Sequence, residues 1–170
     1  MAIKVGILGL AHGHVMTYGK KWIEHPEWNI ELVGGWDHDT KRRDDSVSAL
    51  GIKAYDTPEA LLADVDAVVI SSFHAELTEL AAAAGKDILC YKPMALTLEE
   101  ADRMVAAVEA SGVRFTLGYQ MRVDPQNIKM KELVHDGTIG NICHYRRRHG
   151  LSTHTWANFD TAWHTQEHYN

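Results

Sequence analysis

The sequence predicts an α/β fold: a doubly wound parallel sheet with helices on both faces, followed by the start of a second α/β domain. Three observations carry this. An apolar run over 3–8 breaks into a small-residue turn where a helix begins (IKVGILGLAHGH). Apolar runs then alternate with helical segments along most of the chain. The connections between successive strands are long enough for crossovers, which parallel strands require and hairpins do not.

The elements follow in order. Val5, Ile7 and Leu8 supply a buried opening strand, since a strand covered on both faces reads as a continuous apolar run. A helix over 17–24 stops before Pro26, and a strand spans 30–36. Asp37 closes that strand ahead of a polar helix over 41–50. A short strand over 53–55 leads to Thr57 and Pro58, a cap and first-turn pair that opens a helix through Leu62. The segment 67–70 (AVVI) reads as a central strand running into Ser71 and Ser72, and 81–84 before Gly85 reads as a helix end. Another strand over 88–91 meets Lys92 and Pro93. Thr97 caps a helix over 98–110, with Glu99 and Glu100 at its positive end and Gly112 past its stop, and 115–118 is the next strand. A final strand over 142–148 is expected to begin the second domain, which gives domains of 1–122 and 123–170.

Composition excludes several classes. Hydrophobic residues make up 45% and charged residues 24%, and no apolar run is long enough to span a bilayer. The first residues lack a basic segment followed by an apolar signal core, so a cytoplasmic location is expected. Two cysteines, Cys90 and Cys143, cannot build a disulfide framework and fit a reducing compartment. A net charge of −6 makes the chain a poor nucleic-acid binder, with Arg146, Arg147 and Arg148 read as a solvated strand face.

The opening turn is the chemically telling feature. A tight turn into a helix presents backbone N–H groups and a positive dipole end to an anion, the physics of dinucleotide phosphate binding. Gly9 holds the first position of the G-x-G-x-x-G pattern, while Ala11 and His14 take the second and third. His12 and His14 are set beside the pyrophosphate position, where they either bond it, line the substrate pocket or cap the helix. Asp37, at the end of the second strand, can accept hydrogen bonds from an adenosine ribose and repel a 2′-phosphate. That favours NAD over NADP, with NADP left open by Lys41, Arg42 and Arg43 close behind. Lys92 ends a buried strand at the edge where open α/β sheets bind ligands, and can orient a hydroxyl or lend positive charge during hydride transfer.

Five ordered segments, VGILGL, DAVVISSFHAEL, AGKDILCYKPMALTLEEAD, GYQMRVDP and DGTIGNI, resemble the Gfo/Idh/MocA oxidoreductases, relatives of glucose-fructose oxidoreductase and inositol 2-dehydrogenase. The resemblance runs from Ile3 to about Gly150. It implies a Rossmann domain binding a nicotinamide cofactor, then a domain carrying substrate specificity and subunit contacts, and oxidation or reduction of hydroxyl carbons in sugars and polyols. By motif position it places Lys92, the lysine of E-K-P, near both nicotinamide and substrate. It sets Ser71, Ser72, Phe73 and His74 on the loop beside the cofactor, and Arg122 near the substrate. The cofactor set is therefore Gly9, Ala11, His12, Gly13, His14, Asp37, Ser71, Ser72, Phe73, His74 and Lys92, with Lys92 catalytic and Lys92 and Arg122 on the substrate. Departures from the family pattern are Tyr91 for the glutamate before the lysine, Phe73 and His74 for proline and asparagine, and Gln120 for asparagine.

The family's downstream aspartate and histidine have no counterpart before Asn170, so a truncated or naturally incomplete member is expected. Its unpaired strand and the aromatic residues Trp156, Phe159, Trp163 and Tyr169 point to a homo-oligomer. Two classes follow: an NAD(P)-dependent dehydrogenase of a small polyhydroxylated substrate, and a dinucleotide-binding module without catalysis. A remote third is a zinc hydrolase through His164, Glu167 and His168 (HTQEH), which needs a further ligand and a helical frame; no metal is expected.

Overall fold

The computed structural model describes residues 2–148 together with 150, 152, 155 and 159. Strand β1 (Ile3–Leu8) is buried over residues 5–8 and forms the middle of a six-stranded sheet with β2 (Ile30–Trp36), β3 (Lys53–Ala54), β4 (Ala67–Ile70), β5 (Asp87–Cys90) and β6 (Phe115–Leu117). The order is β3-β2-β1-β4-β5-β6, and every neighbouring pair is parallel. This is the doubly wound Rossmann arrangement. The strand order reverses between β1 and β4, and ligands of such sheets bind outside the carboxyl ends at that switch point.

Among the described residues there are six helices: α1 (His14–Glu24), α2 (Thr40–Leu50), α3 (Pro58–Asp64), α4 (His74–Ala83), α5 (Leu98–Ser111) and α6 (Pro125–His135). Side chains alternate across a strand, so each strand feeds two cores. Leu8, Val68, Ile70, Ile88 and Cys90 pack with Leu61 of α3, Ala81 of α4 and Met104 of α5. Val5, Ile7 and Val69 pack on the other face with Val15 of α1 and Val47 and Leu50 of α2. Local signals fix the helix starts. Thr57 and Thr97 accept bonds from Ala60 N–H and Glu100 N–H, both at 3.2 Å, and Glu100 Oε2 reaches back to accept from Leu96 N–H, the residue before the cap, at 2.9 Å.

The chain divides into two compact units, the first running to Gly118 and the second beginning at Tyr119. The second holds a short helical turn, Gln120–Arg122, and α6.

Several sequence expectations are corrected here. Helix α1 starts at His14 rather than 17, because the turn itself supplies the first helical residue. Helix α4 spans ten residues from His74, not only its end, because Phe73 takes a left-handed conformation (φ 49°) that redirects the chain straight into a helix. Residues 142–148 form no strand: they are exposed and no partner strand lies alongside them among the described residues. Helix α6 was not anticipated, although Asp124 and Pro125 open it with the same cap-and-proline signal as Thr57 and Pro58. Trp156, Trp163 and Tyr169, and the His164, Glu167 and His168 pattern, lie outside the described residues. Among those described, no helix is long and apolar enough to cross a membrane, and no group of three side chains could hold a metal.

Ile7 is 1% exposed at the centre of one core. Ile7→Ala is expected to lower the unfolding free energy by about 2–5 kcal/mol in chemical denaturation, through lost transfer energy and a residual cavity.

Candidate functional site

Register builds the site. Leu8 pairs with Trp36 on one side and Ile70 on the other, and Ile70 pairs with Cys90. Four strands thus end together, and the residues that follow them, Gly9, Asp37, Ser71 and Tyr91, share one edge of the sheet.

Gly9 makes the turn after β1 with φ 83°, a region side-chain-bearing residues rarely adopt. A Cβ there would lie 2.0 Å from Ser72 Oγ and 2.9 Å from Ser72 N, so no other residue fits. Gly9 N–H donates to Trp36 O at 2.9 Å, and its carbonyl accepts from Ser71 Oγ at 2.6 Å. The turn is thereby tied to the ends of β2 and β4. His12 is buried and structural: its Nδ1 accepts from His14 N–H at 3.0 Å and its carbonyl from Val15 N–H at 3.0 Å. Gly13 opens α1 with no side-chain cap, and nothing lies within 4 Å of where its Cβ would stand. No acidic residue occupies the first turn of α1, so no carboxylate of that turn offsets its positive end. Ala11 is partly buried in the same turn.

Asp37 is 2% exposed. Its Oδ2 accepts from Leu10 N–H at 2.7 Å and Arg42 Nε at 3.0 Å, and its Oδ1 from Asp39 N–H at 2.9 Å and Arg42 Nη2 at 2.6 Å. The carboxylate thus binds the β1 turn to the start of α2. Asp39 caps α2 by accepting from Arg42 N–H at 3.0 Å.

Beyond β4, Ser72 Oγ is buried against Gly9 and has no hydrogen-bond partner among the described residues, a state that a ligand oxygen would relieve. Phe73 stands edge-on to His38 at 4.5 Å between ring centres. His74 Nδ1 lies 2.7 Å from Pro93 O and donates to it, joining the start of α4 to the segment after Lys92. Burial lowers the His74 pKa, against the opposing pull of backbone carbonyls.

Lys92 is partly buried after β5, and no carboxylate approaches within salt-bridge distance of it among the described residues. Beside it stands a ring cluster that the sequence did not announce. Tyr91 lies 5.5 Å from His12 and 6.2 Å from both His14 and Tyr18, and His14 is 4.3 Å from His12 and 5.5 Å from Tyr18. The Tyr91 hydroxyl is buried without a hydrogen-bond partner among the described residues, and burial pushes its pKa far up, so it stays protonated as a donor. Burial first, and then the Lys92 charge, lower the His14 pKa and keep its imidazole neutral near pH 7. Arg122 lies in the second unit, at the end of the Gln120–Arg122 turn. Arg42 and Tyr91 are the two site residues that spacing alone did not assign, and for Tyr91 the signal was its place directly before Lys92.

Two features of this edge bear on a ligand: the open space beside Gly13 at the start of α1, and the Ser72 hydroxyl, which has no partner among the described residues. Comparison with known proteins agrees with that geometry. Residues 3–119 match the Gfo/Idh/MocA model, described as an oxidoreductase family with an NAD-binding Rossmann fold. The chain is 33% identical over 145 residues to myo-inositol 2-dehydrogenase of Thermotoga maritima, covering 81% of this chain and 42% of that protein. It is 28% identical over 160 residues to glucose-6-phosphate 3-dehydrogenase of Bacillus subtilis, covering 87% and 43%. Among solved structures, scyllo-inositol dehydrogenase of Lactobacillus casei with bound NAD(H) and scyllo-inositol superposes with a TM-score of 0.71 at 28% identity, covering 84% of this chain and 43% of that one. The chain spans less than half the length of these relatives.

Two outcomes are expected. Tyr91→Phe removes an unpartnered buried hydroxyl, so the thermal midpoint holds or rises; a clear fall would mean that the phenol is bonded in the folded chain. His74 binds a proton near 6.5 when unfolded but only at lower pH when folded. The stability it supports is therefore present above that value and is lost as pH falls through the lowered folded value, and His74→Gln should flatten the slope in denaturation measured downward from neutral pH.

Proposed function

The chain belongs to the Gfo/Idh/MocA oxidoreductase family, and on that premise we propose that it is the cofactor-binding portion of an NAD(P)-dependent dehydrogenase acting on a hydroxyl carbon of a sugar, polyol or related small molecule. The observation that carries the reading is the convergence of the Gly9 turn, the Ser72 hydroxyl and Lys92 on one sheet edge. When bound, the dinucleotide supplies the hydride acceptor.

The roles of the chain's own residues follow from their chemistry. The amides of Ala11, His12 and Gly13 and the positive end of α1 hold the pyrophosphate, and Ser72 Oγ donates to it. Phe73 and His74 shape the loop alongside the cofactor, with Ser71 bracing Gly9. Lys92, with no acid partner at hand, orients the substrate hydroxyl and stabilises negative charge growing on its oxygen as the hydride departs. His14 is neutral and beside Lys92, and so can take a proton. By its motif position Arg122 is assigned to the substrate, and residues 123–170 begin a second domain. A cytoplasmic homo-oligomer completes the reading. The exposed apolar side chains of the second unit, among them Val123, Ile139 and Ile142, are the surface through which copies would associate.

A binding module without catalysis is the competing reading. NADH fluorescence titration combined with NAD-linked oxidation of an inositol and sugar panel separates the two. The proposal expects saturable NADH binding by the wild-type chain, and Lys92→Ala that binds NADH within about threefold of wild type. Where oxidation is measured, that variant loses turnover. Binding without turnover on any polyol supports the module, and no binding removes both readings.

A further inference from the structure

We propose that His74 is a positioning residue: its imidazole holds the backbone that carries Lys92 against the turn after β4, and so fixes where the lysine stands. The inference deepens the dehydrogenase reading above and rests on its assignment of Lys92 to the reacting hydroxyl.

The topology makes the contact. β4 and β5 are neighbours, and Ile70 pairs with Cys90 at their ends. Three residues, 71–73, separate β4 from α4, and Phe73 turns the chain with φ 49° so that His74 is the first helical residue. Pro93 is the third residue beyond β5. Neighbouring strands lie about 4.8 Å apart, so a side chain rooted in one turn can span to the backbone of the other. His74 Nδ1 does so, lying 2.7 Å from Pro93 O. A carbonyl oxygen only accepts, so the proton of this bond sits on Nδ1. Backbone groups of Ser71 and Met94 also act on the ring. The imidazole therefore sits between the two turns and bonds across them.

Lys92 is bracketed by this bond. On one side Tyr91 N–H donates to Ile70 O at 2.8 Å, and on the other Pro93 O accepts from His74. Pro93 has no N–H, so its carbonyl is the only hydrogen-bonding group its backbone offers. Further along, Leu96 N–H donates to Glu100 Oε2 at 2.9 Å, which fastens the entry to α5. Lysine carries a point charge on a flexible four-carbon stem. A stem of that freedom needs a fixed root if its charge is to meet one oxygen, since a displacement of about 1 Å at a reacting group costs about a hundredfold in rate. His74 and Ile70 supply that root from the same neighbouring strand and its turn.

The test reads Lys92 and His74 directly by NMR on the full chain, with no dinucleotide added. Lysines are reductively methylated with isotope-labelled formaldehyde, the Lys92 resonance is identified by its absence from Lys92→Arg, and the wild type is compared with His74→Ala and His74→Asn. Asparagine carries an N–H at the same number of bonds from Cβ as Nδ1 and keeps the bond to Pro93 O. His74→Ala should move the Lys92 resonance to the position of the exposed lysines while the other lysine signals hold, and His74→Asn should return it to the wild-type position. Long-range proton–nitrogen correlation of the wild-type imidazole should show the proton on Nδ1. A Lys92 signal that His74→Ala leaves in place, or a His74 proton carried on Nε2 alone, would overturn the inference. Should His74→Ala fail to fold, His74→Asn decides together with the tautomer: an unmoved Lys92 signal supports the inference and a displaced one overturns it. Failure of NADH to bind, read separately by titration, removes the dehydrogenase reading and with it the task that the clamp serves, so the two failures appear in different measurements.

Discussion

The contact between Gly9 and Ser72 governs this molecule. Two strands at the switch point of the sheet end so close together that the residue after β1 has no room for a side chain. The positive φ that Gly9 adopts sends the chain over the end of β4, and its carbonyl is then fastened by Ser71. The start of α1, the amide direction at Ala11 to Gly13 and the burial of Ser72 all depend on that approach. A larger residue at position 9 would lift the turn off β4 and separate the groups that the register brings together.

Electrostatics at the edge follows a division of labour along it. At the β2 end, a fully buried acid and a partly exposed arginine cancel each other while securing the turn to α2. A buried pair of this kind contributes more to specifying the arrangement than to net stability, since desolvation offsets much of the attraction. At the β5 end, no carboxylate lies within salt-bridge distance of Lys92 among the described residues, and burial, then the nearby Lys92, lower the His14 pKa. Lys92 and His14 therefore stand together at the β5 end, and the paired acid and arginine stand at the β2 end.

Much of the sheet was legible in the sequence because buried parallel strands are apolar on both faces: 30–36 and 67–70 coincide with β2 and β4. Helices marked by a Thr cap were legible for the same local reason. Helix α4 was read only at its end, because its Ala and Leu residues give little one-sided periodicity and its start depends on the backbone at Phe73. The strand expected over 142–148 had suitable residues, but a strand exists only through its neighbours. Within the site, Gly9 and Asp37 could be placed by spacing from β1 and β2. Arg42 and Tyr91 could not, since the first depends on how a cap rotates a helix turn and the second on which rings a strand end meets.

The claim beneath all of this is that the amides of the Gly9–His14 turn grip the diphosphate of a nicotinamide dinucleotide. A crystal structure of the chain grown with NADH tests it most directly. The account predicts pyrophosphate oxygens within hydrogen-bonding distance of the Ala11 to Gly13 amides and of Ser72 Oγ. Diphosphate density elsewhere on the chain, with Ser72 Oγ still unpartnered, would contradict it.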